Sequence, residues 1–517
     1  MAFLPVYTFR EGHYQVLDAP PTFRYSQKLT KNDSFIDMKV LVMGLGLNGG
    51  GVESARYLAG LGADVTVTDL RDEKILAPSI EKLAGIPVRY VLGRHEMADF
   101  QNADMVVKNP GARPDSPYLQ AARRVETDIS LFLAECPARL SAITGSKGKS
   151  TTASALHWAL NESRAKTAGF SGFASGKAWL GGNITVSPLS FLDKLKQGDD
   201  VVLELSSFQL GDLRGRALLK PRVAIITGIM RDHLDRYGTM EAYIADKRLI
   251  YRNQDGGDVT IAADDEWGKS FREESRGRPV VFSAALQTEA PGKGLSGGWL
   301  TGPPGPGLAR LWEIPGSSEQ PGRVVEVVPE RPLIPGYHQK RNLLAAALAL
   351  LDLGFQADFI RESLGRFPGI EHRLEFFHES AGIRFYNDSS ATIPEAAASA
   401  VSAFETPQGS KAGLVLVSGG TDKELDFAPL AQAVKNVKAL ILLAGSGTVK
   451  LKNLLDSGGI AYHGPFDSLD AAVKTALDAA APGDTVLLSP GCASFGMFLN
   501  EFDRGRKWKE AVLKSAR

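Results

Sequence analysis

The segment Thr144-Gly145-Ser146-Lys147-Gly148-Lys149-Ser150-Thr151-Thr152 stands between an apolar, β-branched run, Leu140 to Thr144, and a helical run, Ala153 to Leu160. A strand that turns through glycines into a helix needs a mostly parallel α/β sheet to rest on, because neither element buries its apolar surface alone. Such a loop aims successive backbone N–H groups at a polyphosphate. Lys149 then neutralises the β/γ-phosphates, and the Ser150 hydroxyl can ligate Mg²⁺. ATP or GTP with Mg²⁺ is the expected ligand, and Gly145, Ser146, Lys147, Gly148, Lys149, Ser150 and Thr151 are its expected contacts. The long Walker spacing requires glycine five residues before Gly148, where Ile143 stands, so this is the shortened form starting at Gly145.

The alternation around this loop predicts three α/β domains, in keeping with 517 residues at roughly 150 per domain. Residues 1–37 read as an extension of unassigned role, 38–139 as a Rossmann-like domain, 140–368 as a central P-loop domain and 369–517 as a second Rossmann-like domain. In the first, the runs Lys39 to Met43, Asp64 to Thr68, Val88 to Val91 and Met105 to Val107 read as strands. Gly44-Leu45-Gly46-Leu47-Asn48-Gly49 follows the first of them, and Asp69 lies twenty positions beyond Gly49. By itself this pattern predicts a diphosphate on a helix N-terminus and a ribose on Asp69, as for NAD; the bland reading is a packing turn. In the central block the strands are Leu140 to Thr144, Asp200 to Leu205 and Arg222 to Thr227. The glycine- and proline-rich stretches Gly292 to Gly307 and Pro315 to Gly322 read as surface hairpin loops. The helices Asn342 to Leu353 and Ala357 to Gly365 close this block. The last block has strands Gly382 to Tyr386, Ala412 to Val417, Ala439 to Leu443 and Asp484 to Leu488, with a helix from Pro394.

Composition narrows the function classes. Lys+Arg (59) equal Asp+Glu (59), so no global field draws the chain to nucleic acid or an acidic membrane, and anions must be held locally. The longest strongly apolar stretch, Leu343 to Leu351, is far short of the roughly 18 residues a membrane helix needs. Two cysteines, Cys136 and Cys492, are too few for a disulfide framework or zinc cluster and fit a reducing cytoplasm. No secretion signal is legible before Asp37. No oligomer signal is visible, so a monomer is expected.

Two groups downstream of the phosphate loop add chemistry. Glu204 ends the run Val201 to Leu205, and His233 follows another strand end, in Arg231-Asp232-His233-Leu234-Asp235. Side chains at carboxyl ends of strands face the ligand crevice, so both can reach a metal on the triphosphate, although a lone Glu or His is usually structural. Lys247 reads by default as a solvated helix lysine.

Taken together, these segments resemble the Mur ligases of peptidoglycan synthesis, and most closely their D-glutamate-adding branch. The likeness runs from Met38 to near the C-terminus. It rests on Thr144 to Thr152, Glu204-Leu205-Ser206-Ser207-Phe208-Gln209-Leu210, Asp232-His233-Leu234-Asp235-Arg236-Tyr237, the helix carrying Lys247, His372-Arg373, Asn387-Asp388-Ser389 and Ser489-Pro490-Gly491-Cys492-Ala493-Ser494. The resemblance implies an ATP-dependent amide ligation in the cytoplasm, with UDP-N-acetylmuramoyl-L-alanine and D-glutamate as substrates and an acyl phosphate as intermediate. It reassigns the first glycine loop to a nucleotide sugar: Gly44, Gly46, Leu47, Asn48 and Gly49 at the diphosphate, Asp69, Leu70 and Arg71 near the uracil. It implies catalytic roles for Lys149, Lys247, His233 and Asn183, with Lys247 carbamylated. Ser150 and Glu204 would hold one Mg²⁺, His233 and Lys247 a second. Asn342, Arg373 and Asp388 would contact the adenine nucleotide; Thr392, Lys423 and Ser494 would hold the amino acid.

The chain departs from that pattern at four places. Ser390 stands where a lysine is usual, Gln339 replaces an asparagine, Leu70 replaces a polar residue, and the aromatic of Asn500-Glu501-Phe502 is displaced by one. The rival readings are an NAD(P)-dependent oxidoreductase, which leaves the phosphate loop idle, and a P-loop switch, which leaves the first domain idle. A folylpolyglutamate synthetase-like ligase lacks the added N-terminal domain, and a sibling Mur ligase, or the same chemistry on another amino acid, is the nearest alternative.

Overall fold

The computed structural model describes residues 6–10, 13–17, 35–166, 176–184, 186–286, 296–301, 305–311, 323–404 and 413–515. Ahead of the first domain, β1 (Val6–Arg10) pairs antiparallel with β2 (His13–Leu17). The next strands are β3 (Lys39–Met43), β4 (Asp64–Asp69), β5 (Val88–Leu92), β6 (Met105–Lys108) and β7 (Val125–Glu126). They form a five-stranded parallel sheet ordered β5-β4-β3-β6-β7. Val40 and Val42 pack into one core and Leu41 and Met43 into another, so both faces of β3 are covered and the strand reads as a continuous apolar run. The strand order reverses beside β3, so the turns after β3 and β6 open onto one crevice.

The helix Gly50–Gly60 follows the first turn. A Cβ on Gly51 would lie 2.3 Å from Gly44 O, so the close packing of loop on helix depends on Gly51, just outside the six-residue motif, while Gly49 supplies a left-handed N-cap.

The central strands are β8 (Arg139–Thr144), β9 (Ala178–Gly182), β10 (Asp200–Glu204), β11 (Val223–Ile226), β12 (Val259–Ala263), β13 (Arg278–Leu286), β14 (Ser296–Leu300), β15 (Gly307–Leu311) and β16 (Arg323–Val328). Their nine-stranded sheet, ordered β16-β15-β14-β13-β12-β11-β8-β10-β9, is parallel except for the antiparallel pairs β14–β15 and β15–β16. The helices Lys149–Lys166 and Tyr337–Asp352 cover one face. On the other face the core is continuous with the N-terminal unit, where Phe132 meets Phe191 edge-on at 5.8 Å. The two units share one interior.

Three buried polar ties reinforce that joint. Lys108 Nζ lies 2.7 Å from Asp212 Oδ2, Arg216 Nη1 lies 2.6 Å from Glu126 Oε2, and Ser187 Oγ donates to Asp128 Oδ2 at 3.1 Å. All three begin at or just beyond the carboxyl ends of β6 and β7.

The C-terminal strands are β17 (Glu375–Ser380), β18 (Ile383–Asn387), β19 (Leu414–Gly419), β20 (Ala439–Leu443), β21 (His463–Phe466) and β22 (Thr485–Leu488). The six-stranded order is β17-β18-β22-β19-β20-β21, parallel except for β17–β18.

One expectation fails. The stretch Gly292 to Gly307 is not simply loop, since it contains β14, with Trp299 and Leu300 buried. Gly298 is a packing residue there: a Cβ on it would lie 2.8 Å from Leu344 Cδ1, so the covering helix reaches the sheet only where there is no side chain. Pro315 to Gly322 lies outside the described residues. Both edge strands of the last sheet escaped the sequence pattern; β17 is rich in charge and β21 contains Gly464-Pro465, which an edge tolerates.

Gly51→Ala is expected to lower unfolding stability by about 1–3 kcal/mol, the usual cost of overpacking. A thermal or urea midpoint unchanged from the parent would show that the loop and helix are not in obligatory contact.

Candidate active site

The phosphate loop lies in a slot too narrow for side chains. A Cβ on Gly145 would fall 1.9 Å from Thr227 Oγ1, and one on Gly148 2.3 Å from Asn342 Oδ1. Thr227 Oγ1 donates to Lys147 O at 2.7 Å, which fastens the loop to the end of β11. Ser146 braces it from below: its N–H donates to Gly228 O (2.9 Å), and its hydroxyl lies 3.0 Å from both Met230 O and the Tyr243 hydroxyl. Ser146 is therefore engaged inside the protein. Ser150 and Thr151 sit in the first turn of the following helix. Lys149 Nζ donates to Gly145 O (3.0 Å) and Ser146 O (3.1 Å), and burial holds its ammonium below the usual lysine range. The charges bearing on it are Glu204, Lys147, Asp232 and, from the C-terminal unit, Arg373. Asn342 Nδ2 donates to Gln339 Oε1 at 3.2 Å, so the unusual Gln339 orients the residue against Gly148.

Beside the loop, Glu204 ends β10 and is 1% exposed. Its Oε1 accepts from Asn183 Nδ2 at 2.9 Å, and Asn183 N–H donates to Glu204 O at 2.8 Å. Among the described residues, Glu204 Oε2 is buried with no hydrogen-bond partner. A desolvated carboxylate oxygen left this way suits a hard cation that takes oxygen ligands, as Mg²⁺ does. His233, in a left-handed conformation at the start of a short helix, lies with its ring centre 4.9 Å from that of Phe208, the two rings tilted at 53°.

Lys247 is not the solvated lysine its default reading suggests. It is 1% exposed, with Nζ donating to Gly145 O at 2.9 Å and lying 4.5 Å from the Tyr243 ring centre. Burial, with Lys149 nearby, pushes its pKa down to about 7. Near neutrality a large fraction of this amine is unprotonated and nucleophilic.

On the opposite wall stands the first glycine loop. Asp69 is buried, and each of its oxygens accepts one backbone N–H: Gly46 N–H donates to Oδ2 (3.0 Å) and Arg71 N–H to Oδ1 (2.9 Å). The acid thereby ties the glycine loop to the end of β4. Leu47 and Leu70 are exposed beside it, as is Arg71, while Asn48 faces the central unit across a cleft of about 400 Å³. That cleft is lined by Asn48, Gly50, Asn109, Pro110, Gly111 and Asp128 on one side. On the other are Lys149, Asn183, Ser206, Ser207, Phe208, Gln209, His233, Tyr243 and Lys247. Asp128 and the Asn109–Gly111 turn went unread in the sequence, yet the turn follows a strand at the same sheet end as the glycine loop. Burial pushes the Asp128 carboxyl up.

The other expected residues lie on the C-terminal unit. Asp388 is buried, accepting from Leu374 N–H (3.1 Å) and Ser489 Oγ (2.7 Å), and burial pushes it up to about 7. Three loops meet at the carboxyl ends of β18, β19 and β22: Gly491 N–H donates to Ala391 O (2.9 Å), and Thr421 bridges to Ala493. Thr392, Lys423 and Ser494 lie one or two residues along the chain from these contacts. The buried Arg504 guanidinium holds two of these loops through Ser389 O (2.7 Å) and Cys492 O (3.0 Å), a role no local motif revealed. Glu371, His372 and Glu375 also converge, but Lys509 Nζ donates to both carboxylates at 2.8 and 2.9 Å and balances their charge.

Residues 38–130 match the Mur ligase MurD-like N-terminal domain, 143–350 the Mur ligase middle domain, and 372–492 the Mur ligase glutamate ligase domain. The chain is 41% identical to a UDP-N-acetylmuramoylalanine–D-glutamate ligase of Roseiflexus sp. (strain RS-1), over 92% of this chain and 98% of the relative. It is 38% identical to one of Treponema pallidum, over 92% of this chain and 97% of the relative. The fold is shared with the UDP-N-acetylmuramate-alanine ligase MurC of Thermotoga maritima, at a TM-score of 0.52 and 19% identity over 92% of this chain and all of that one. With three successive domain matches and relatives aligned over nearly their whole length, the chain belongs to the Mur ligase family.

Proposed function

We propose that this chain joins D-glutamate to UDP-N-acetylmuramoyl-L-alanine at the expense of ATP, a cytoplasmic step in building the peptidoglycan precursor. The observation that carries the reading is the single cleft with a phosphate-binding loop on one wall and a diphosphate-type glycine loop on the other. A nucleotide sugar seated on Gly44, Gly46 and Asn48 would run its acyl end toward Lys149. The relatives' name supplies the identity of the two substrates.

A carboxylate is a poor acceptor for an amine until it gains a leaving group. An oxygen of the L-alanine carboxylate attacks the γ-phosphorus of ATP, the bond to the β-bridging oxygen breaks, and ADP and an acyl phosphate result. The amine of glutamate then attacks the acyl carbon, the amide bond forms, and inorganic phosphate departs as the amine gives up its proton. Two anions must meet in the first step, so preorganised positive charge is the main requirement. Lys149 provides it at the phosphates, Asn183 orients Glu204 beside them, and His233 stands against Phe208 at the cleft wall. When bound, Mg²⁺ neutralises charge on the transferred phosphoryl group; Glu204 and Ser150 would hold it, with His233 and Lys247 at a second ion. For Lys247 this requires a carbamate, formed as the free amine adds to CO₂ and loses a proton. Thr392, Lys423 and Ser494 would take the glutamate carboxylates, and Asn342, Arg373 and Asp388 the adenine nucleotide side. Ser390 leaves that pocket without a cation at its position.

Phosphate release from ATP in the presence of UDP-N-acetylmuramoyl-L-alanine is expected to require D-glutamate. Turnover with L-glutamate or another acceptor alone would move the error to the C-terminal pocket and leave the ligation standing. Lys149→Ala should cut that release by about 10²–10³-fold; near-parental turnover would overturn its role. In ¹³C-bicarbonate, a carbamate resonance that is absent from Lys247→Ala is expected near pH 8. Because the amine is free only above its pKa of about 7, the signal should fade as the pH drops below that value. A Lys247→Ala variant that is folded, inactive and unaided by added acetate would count against the carbamate.

A further inference from the structure

The Lys108 ammonium sits at the junction of both walls of the cleft. Lys108 is the last residue of β6, directly before the Asn109–Gly111 turn on the N-terminal wall, and its Nζ also lies 3.3 Å from Ala112 O, so the turn closes around its own ammonium. Asp212 directly follows the helix Ser207–Gly211, whose first turn forms the facing wall. The pair spans 104 positions of sequence, with side-chain exposures of 0% and 3%.

The link continues to Lys247. A Cβ on Gly211 would lie 2.4 Å from Asp246 Oδ2, so the helix bearing Phe208 rests directly on the helix bearing Lys247. Asp246 is held in turn by Arg214 and by the Tyr237 hydroxyl at 3.0 Å.

We propose that Lys108–Asp212 is a positioning pair for the ligation, setting the separation of the Asn109–Gly111 turn from the helix Ser207–Gly211 so that the nucleotide sugar's acyl end is registered against the ATP loop. The proposal rests on the reading that the nucleotide sugar occupies this cleft. Stability is a poor explanation for the pair. Burial outweighs the ammonium's pull and pushes Asp212 up to about 6, and apolar replacements of buried ion pairs are commonly as stable or more so. A charge pair adds direction: it fixes one register where an apolar contact can slide.

The test compares Lys108→Met, Asp212→Asn and the apolar double variant Lys108→Met/Asp212→Leu with the parent. The double variant is expected to melt at or above the parental temperature, yet to show a KM for UDP-N-acetylmuramoyl-L-alanine raised roughly tenfold with the KM for ATP within about twofold. The amides of Asn109, Gly111 and Ala112 should also exchange with deuterium faster in it. A stable double variant with parental KM and parental exchange would overturn the positioning role, leaving the pair as structural ballast. If the parent itself does not turn over UDP-N-acetylmuramoyl-L-alanine, the functional reading fails on its own. Exchange at Asn109, Gly111 and Ala112 then still decides whether the pair fixes the turn.

Discussion

Everything at the site depends on how closely the backbone after β8 approaches its neighbours. With no side chain at Gly145 or Gly148, the loop can pass within contact distance of Thr227 and Asn342, and that proximity sets where the helix Lys149–Lys166 begins. Lys149 is then the first residue of a helix whose N-terminal N–H groups and dipole favour an anion. The same slot brings Gly145 O within reach of Lys247, so the constraint on the loop also anchors the second lysine.

Around that loop the protein keeps ionisable groups out of water without fully answering them. Among the described residues, Glu204 has one oxygen satisfied and one orphaned, and Lys247 finds carbonyl and hydroxyl oxygens but no carboxylate within hydrogen-bond reach. Each arrangement costs folding free energy, which a stable scaffold must offset elsewhere. The continuous core beneath the first two units and the covered faces of the nine-stranded sheet supply that offset. The charges at the joint between the first two units differ in each facing an opposite charge: Glu126 with Arg216 and Lys108 with Asp212. Paired charges hold the frame, and the partly paired Lys247 lines the cleft.

Glycine carried most of the legible information, and also the misreadings. After an apolar strand it marked both loops correctly, because a tight βα turn has few chemical solutions. Within Gly292 to Gly307 it marked a strand as loop, because a glycine that admits a covering helix looks the same in sequence as one that makes a turn. Asp69 shows the matching limit for charge. Its position at a strand end predicted a ligand, and the fold also gives it a structural task that the position alone does not reveal, one backbone N–H on each oxygen.

The sequence by itself determined the three α/β units, the order of their loops and the residue types of the two glycine motifs, since these follow from apolar periodicity and short motifs within a single βα unit. Only the tertiary structure decided which of those residues share a cavity. Lys247 became a buried amine, and Lys108 found Asp212, through contacts between segments about a hundred residues apart. Burial and electrostatic partnership are properties of packing between elements, and no local pattern of residues encodes them.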